Sequence, residues 1–237
     1  MKQDLILLHG ALGSKLQLDP LKSKLETDFN VLSFNFEGHG DRLFANRAES
    51  RDEQLSIQRF SENLSEFIAA NGLTKPNIFG YSMGGYVALY LEANQPESVG
   101  KVMTLGTKFN WNPEGAAKEV RMLNPSIIEE KVPRFAQHLS KIHAPNDWKS
   151  NMLKTADMMS VMGENPPLNQ ALYSKVNSKV LLTLGEKDQM VTREETESVL
   201  RQLPNAKLLL FPDFEHPIEK VNLDQLATGI TKFFALD

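Results

Sequence analysis

Gly80-Tyr81-Ser82-Met83-Gly84 fits the pattern G-x-S-x-G, and Gly85 follows it. The apolar run before it predicts a strand and the stretch after it predicts a helix. In that context the pattern places a serine on a sharp strand-to-helix turn. Such a turn needs small neighbours, because the helix passes close to the strand it leaves. The helix N-terminus beneath the serine favours developing negative charge. A serine hydroxyl is a weak nucleophile until a base takes its proton, so the pattern asks for a histidine and an acid. Five histidines are present: His9, His39, His138, His143 and His216. His216 follows the last predicted strand, in Phe214-Glu215-His216-Pro217. Asp188 follows the strand before it, in Gly185-Glu186-Lys187-Asp188. Loops after strands of a parallel sheet gather at one edge, so Ser82, Asp188 and His216 are expected to meet there. Their chain order is the one expected for a serine presented in this way.

Glu186 and Asp213 are the competing acids. His9 and His39 also lie near the sheet edge, but each stands beside glycine in a loop and is read as fixing a turn. His138 and His143 are read as surface or packing residues. Acyl chemistry further needs two N–H donors for an oxyanion. One is expected from Met83, the residue after the nucleophile. The other is expected from the loop His9-Gly10-Ala11-Leu12-Gly13-Ser14, at Ala11, with Leu12 the next choice. That loop lacks the G-x-G-x-x-G of a dinucleotide site, and no metal-ligand spacing is recognisable. No cofactor and no metal are expected.

The elements that must hold these residues can be read from periodicity. Leu5–His9 is a continuous apolar run, as in a strand buried on both faces. Residues 16–25 predict a helix and 29–36 a strand. Ile57, Phe60, Leu64, Phe67 and Ile68 recur at helical spacing, with Ser56 as N-cap and Asn71-Gly72 as the stop. Residues 77–79 predict a strand, 84–94 a helix and 99–105 a strand. The rhythm resumes with strands over 180–184 and 206–211. Between them Thr192-x-x-Glu195 has capping-box spacing, and a last helix starts near Ile218. This predicts an α/β fold: a mostly parallel, doubly wound sheet of about six strands.

Residues 107–176 break the rhythm. Six of the twelve prolines, five of the nine methionines and both tryptophans fall there. The expected organisation is a core of residues 1–106 and 177–237 with a helical cap inserted at 107–176. Tyr81, Trp111, Met122, Trp148, Met158 and Met159 are candidates for an apolar substrate pocket.

Composition narrows the classes further. The 237 residues are 41% apolar, enough for a core. The net charge of −4 argues against a nucleic-acid partner. With no cysteine, disulfides and thiolate chemistry are excluded. Apolar runs such as Leu5–Leu8 fall far short of the roughly 18 residues of a membrane span. The first residues carry no secretory-leader pattern, so a cytoplasmic location is expected.

Together, Leu-Leu-His-Gly after the first strand, Gly38-His39-Gly40, Gly-Tyr-Ser-Met-Gly-Gly, Leu-Gly-Glu-Lys-Asp and the late His-Pro resemble an α/β-hydrolase of the esterase and lipase superfamily. The resemblance covers 1–106 and 177–237. It implies cleavage of a small-molecule carboxylic ester through an acyl-enzyme on Ser82, His216 and Asp188. Two alternatives on the same fold are a carbon–carbon hydrolase or lyase and a receptor that turns over slowly. Relatives that act as lyases in menaquinone synthesis often carry a basic residue just after the turn, where this chain has Tyr86. Dehalogenases and epoxide hydrolases of this fold use a carboxylate where Ser82 stands. The antiparallel strands that open many relatives are missing, which implies six strands in the family order 4-3-5-6-7-8. Glu37 stands directly before Gly38, where relatives place an Asp two residues earlier, and implies a reshaped loop.

Overall fold

The computed structural model describes residues 2–44 and 54–235. Six strands form one sheet: β1 (Gln3–Leu8), β2 (Phe29–Ser33), β3 (Asn77–Tyr81), β4 (Val102–Leu105), β5 (Val180–Gly185) and β6 (Ala206–Phe211). Their order is β2-β1-β3-β4-β5-β6, and every pairing is parallel. The order matches the expected one, and the sheet is parallel throughout.

Among the described residues ten α-helices accompany the strands. They are α1 (Asp19–Leu25), α2 (Ile57–Ala70), α3 (Met83–Asn94), α4 (Pro113–Arg121), α5 (Pro125–Lys131), α6 (Pro133–His143), α7 (Trp148–Glu164), α8 (Gln170–Tyr173), α9 (Arg193–Leu200) and α10 (Leu223–Ala235). Period-two side-chain alternation divides the sheet between two cores. Ile6, Leu8, Ile78, Val102 and Leu182 pack with apolar residues of α2, α3 and α9. Leu5, Leu7, Phe79, Met103 and Leu181 pack on the other face with α1 and α10.

Local signals start the helices as expected. Ser56 accepts from the Arg59 N–H at 3.1 Å. Thr192 and Glu195 close a capping box. Three prolines of the insert begin α4, α5 and α6, where a missing N–H costs nothing. Boundaries differ at several places. β2 ends at Ser33, its last partner being Leu7, and Phe34 and Phe36 stay buried beyond the ladder. β4 starts at Val102 because Gly100 N–H is engaged by the Pro76 carbonyl at 2.9 Å. The helix expected from Ile218 is a short 3-10 turn, then α10 from Leu223.

Residues 106–179 contain α4 to α8 and no strand. They do not all pack apart from the sheet. Met158, Met162, Leu168, Tyr173 and Val176 join the core built on Ile6 and Leu8. A smaller cluster holds Ile128, Ala136, Leu139, Trp148 and Met152, with Leu12 of the β1–α1 loop packed against it.

Candidate active site

Ser82 lies between β3 and α3 with φ 50° and ψ −118°. Such a backbone costs on the order of 1–3 kcal/mol and persists only where the surroundings enforce it. Here they do. Ser82 N–H donates to the Leu105 carbonyl at 2.8 Å, and its own carbonyl accepts from Thr107 Oγ1 at 2.8 Å. The glycines make the turn passable. A Cβ on Gly84 would lie 2.6 Å from the Leu8 carbonyl oxygen, and one on Gly80 would overlap the backbone of Gly84 and Gly85. Met83 is the first residue of α3, so its N–H is among the amides that a helix N-terminus leaves unpaired.

Asp188 and His216 meet beside it. His216 Nδ1–H donates to Asp188 Oδ2 at 2.8 Å, with side chains 10% and 1% exposed. Asp188 Oδ1 accepts from the N–H groups of Met190 and Val191 at 2.8 and 2.9 Å. Burial alone would raise the Asp188 carboxyl. Its hydrogen bond to His216, the histidine charge and the two backbone donors outweigh that, so its pKa lies below the ordinary value. The carboxylate is thus held ionised, and the bond at Nδ1 leaves His216 Nε2 as an acceptor. The competing acids are elsewhere: Asp213 pairs with Lys187 at 2.7 Å on the surface, and Glu186 is exposed.

Tyr81 OH donates to the His216 carbonyl at 3.1 Å and braces that loop. Gly106, at the end of β4, has φ +59°, and a Cβ there would lie 3.1 Å from Asp188 Oδ2 and 3.3 Å from His216 Nδ1. Only glycine suits both the left-handed backbone and the space.

A narrow cavity of about 50 Å³ joins Ser82 and His216 to Ala11 and Met83. Trp111, Met158 and Met159 also line it, together with Ile57, Tyr86, Met162 and Val191. A neighbouring cavity of about 240 Å³ shares Ile57, Met158 and Met162 with it.

Three pocket expectations are corrected. Met122 is 52% exposed, because it closes α4 on the outer side. Trp148 sits in the insert's small cluster. Tyr81 lies beneath the His216 loop rather than on the cavity. The sequence reading missed Lys108, Glu119 and Met190, which do line the cavity. Met190 stands two residues past Asp188, in the loop after β5, and that spacing was an available signal; Lys108 follows the end of β4 by three residues. Glu119 lies on α4 and had none.

The remaining histidines form a group. His9 Nδ1–H donates to the Gly10 carbonyl at 2.8 Å, and its Nε2 accepts from Phe36 N–H at 3.2 Å. His39 Nδ1–H donates to the Glu37 carbonyl at 3.1 Å. His143 Nδ1 accepts from Gly40 N–H at 3.0 Å, and its Nε2–H donates to the Leu12 carbonyl at 3.0 Å. All three are fully buried, with rings 5.2 and 5.7 Å apart in sequence order. Burial lowers all three pKa values, that of His9 to about 4. His143, expected on the surface or in packing, therefore ties α6 to two loops of the sheet edge. Leu12, the residue it holds, has φ +56° and follows Ala11. His138 is exposed. Among the described residues no group of three or more His, Cys, Asp or Glu side chains is placed to hold a metal ion. Nor is any helix among them long and apolar enough to cross a membrane.

Residues 5–144 match the family model for the alpha/beta hydrolase fold. The chain belongs to that family. Among curated relatives, Lipase 3 of Moraxella sp. (strain TA144) is 23% identical over 90% of this chain and 71% of its own length. A pimeloyl-[acyl-carrier protein] methyl ester esterase of Neisseria meningitidis is 25% identical over 89% and 85%. A solved 2-hydroxy-6-oxo-6-phenylhexa-2,4-dienoate hydrolase from Rhodococcus sp. strain RHA1 superposes with a TM-score of 0.79 at 19% identity, covering 99% and 91% of the two chains. The curated relatives named here are hydrolases, and hydrolysis is the chemistry they support for this chain.

Proposed function

We propose that the chain is a serine carboxylic-ester hydrolase. Ser82 attacks the ester carbonyl while His216 Nε2 takes its proton. Asp188 holds His216 in the tautomer that exposes Nε2 and stabilises the imidazolium that forms. The N–H groups of Met83 and Ala11 receive the oxyanion. His216 then gives its proton to the leaving alcohol. Water, activated by the same nitrogen, releases the acid and restores Ser82.

One observation carries the proposal above the others. The imidazole anchored at 2.8 Å on a buried carboxylate shares a cavity with a serine held at positive φ. Ester cleavage by the Moraxella and Neisseria relatives' named activities points the same way. Helices α4 and α7 of the insert supply Glu119, Met158, Met159 and Met162 to the cavity wall, so 107–176 acts as a cap over a core of 1–106 and 177–237. Tyr86, in the place where a basic residue would serve a lyase, is a wall residue whose hydroxyl accepts from Leu168 N–H at 3.0 Å.

The test is turnover of short p-nitrophenyl esters together with labelling by a fluorophosphonate. Wild type should hydrolyse and be labelled, and Ser82→Ala should do neither while keeping its circular dichroism and melting point. Hydrolysis that survives Ser82→Ala would overturn the mechanism. Labelling without steady-state turnover would point instead to a slow receptor.

A further inference from the structure

The cavity beside Ser82 is walled by methionines, Ile57, Tyr86 and Trp111, yet it holds an ion pair. Lys108 Nζ lies 3.5 Å from Glu119 Oε1, with side chains 18% and 7% exposed. A partly buried pair is a weak stabiliser, because desolvating the charges offsets much of their attraction. Its protein contacts are also long. An ammonium has three N–H donors, and good charge-assisted bonds are about 2.7–2.9 Å long. Among the described residues Lys108 reaches Glu119 at 3.5 Å and the Met190 carbonyl at 3.5 Å. The Trp111 ring, 6.0 Å away, adds a weak cation–π contact.

The base of Lys108 is nonetheless firmly placed. It stands two residues after Gly106, which abuts Asp188 and His216. Trp111 Nε1–H donates to the Lys108 carbonyl at 3.1 Å, and Glu195 Oε1 accepts from the next N–H, of Phe109, at 2.9 Å. A fixed stem therefore carries an ammonium with long protein contacts to a cavity whose other walls are mostly apolar.

We propose that Lys108 is a substrate-binding residue, and that the cavity takes an ester bearing a second oxygen acceptor, a carboxylate or a carbonyl, that bonds to Nζ. Glu119 is the counter-charge that stands beside the ammonium. The proposal rests on the ester-hydrolase reading for the identity of the bond cleaved, but binding tests it separately from turnover.

The experiment is titration calorimetry on Ser82→Ala protein, which cannot consume its ligand. Three methyl esters of equal chain length are compared: one ending in a methyl group, one in a methyl ketone and one in a carboxylate. The oxygenated esters should bind about tenfold tighter than the apolar one, the effect of one charge-assisted hydrogen bond. Lys108→Met in the same background should erase that advantage. Glu119→Gln separates the two acceptors, since removing the counter-charge should tighten the carboxylate ester and leave the ketone ester about where it was. Equal binding of all three esters, or an advantage that survives Lys108→Met with a native melting point, overturns the subsite. Failure of the hydrolase reading would look different: Lys108-dependent binding with no cleavage of any ester by the wild-type chain.

Discussion

Lowering the pH from 7 to 5 should destabilise this protein steeply, through the buried His9, His39 and His143. The sign follows from the direction of the shifts. Each has a folded-state pKa below its ordinary value of 6.5, so between the two values the unfolded chain binds more protons than the folded one. Stability is then fully present above about pH 6.5 and drains away as pH falls. For His9, lowered to about 4, pH 5 lies some 1.5 units below the unfolded value. At about 1.4 kcal/mol per unit, that is about 2 kcal/mol from one residue. His39 and His143 add in the same direction. The cost has a structural reason. His9 Nε2 and His143 Nδ1 each accept a backbone N–H, and a proton on either nitrogen would break that bond. The assay is a melting curve across pH 7 to 5 at constant ionic strength. A domain of this size loses about 2–4 °C per kcal/mol, so His9 alone predicts a drop of about 4–8 °C. His143→Gln, which keeps one donor and one acceptor but no titrating nitrogen, should make the slope shallower. A melting temperature that stays level from pH 7 to 5 would refute the reasoning, because neutral buried imidazoles could not then be part of the fold.

Asp188→Asn should keep the fold but lower kcat on the order of 10³–10⁴-fold, since the wrong His216 tautomer would be favoured. Steady-state kinetics with a p-nitrophenyl ester checks it. Gly106→Ala puts a methyl group 3.1 Å from Asp188 Oδ2 at a φ of +59°. It should cost about 1–2 kcal/mol in backbone strain, read as a lower melting point, and should cut kcat by displacing the Asp188–His216 pair. Met162→Ala removes part of the wall shared by the two cavities. It should cost about 2–5 kcal/mol and move the preferred ester towards longer acyl chains in a chain-length panel.

The sheet was legible because its strands carry their own evidence. Leu5–Leu8 is apolar without interruption, as a central strand between two helix layers requires. The Gly-x-Ser-x-Gly turn then joins one such run to a helix. Asp188 and His216 were legible from place alone, each following a strand whose end faces the same edge. The cavity wall was less so. Trp111, Met158 and Met159 reach it, whereas Trp148 and Met122 do not, and all five share one apolar character. What separates them is the rotation of α4 and α7 about their axes, set by packing against each other and, for α7, against α5 and α6, which no local pattern encodes. Lys108 and Glu119 escaped for a related reason. A charged residue in a loop and another on a helix read as solvated until the structure brings them together.

The insert takes hold of the sheet edge by an unusual grammar. His143 bonds the Leu12 carbonyl and the Gly40 N–H. Asn146 donates to the carbonyls of Gly40 and Arg42, and Asn151 donates to that of Gly38 at 2.7 Å. Every partner in these contacts is main chain. Apart from Leu12, which packs on the insert's small cluster, side chains in those loops can therefore change without erasing these bonds, provided the path of the backbone is kept. The same property makes the insert portable. A chimera that transplants residues 107–176 onto another chain needs matching loop trajectories, with little call for matching loop sequences.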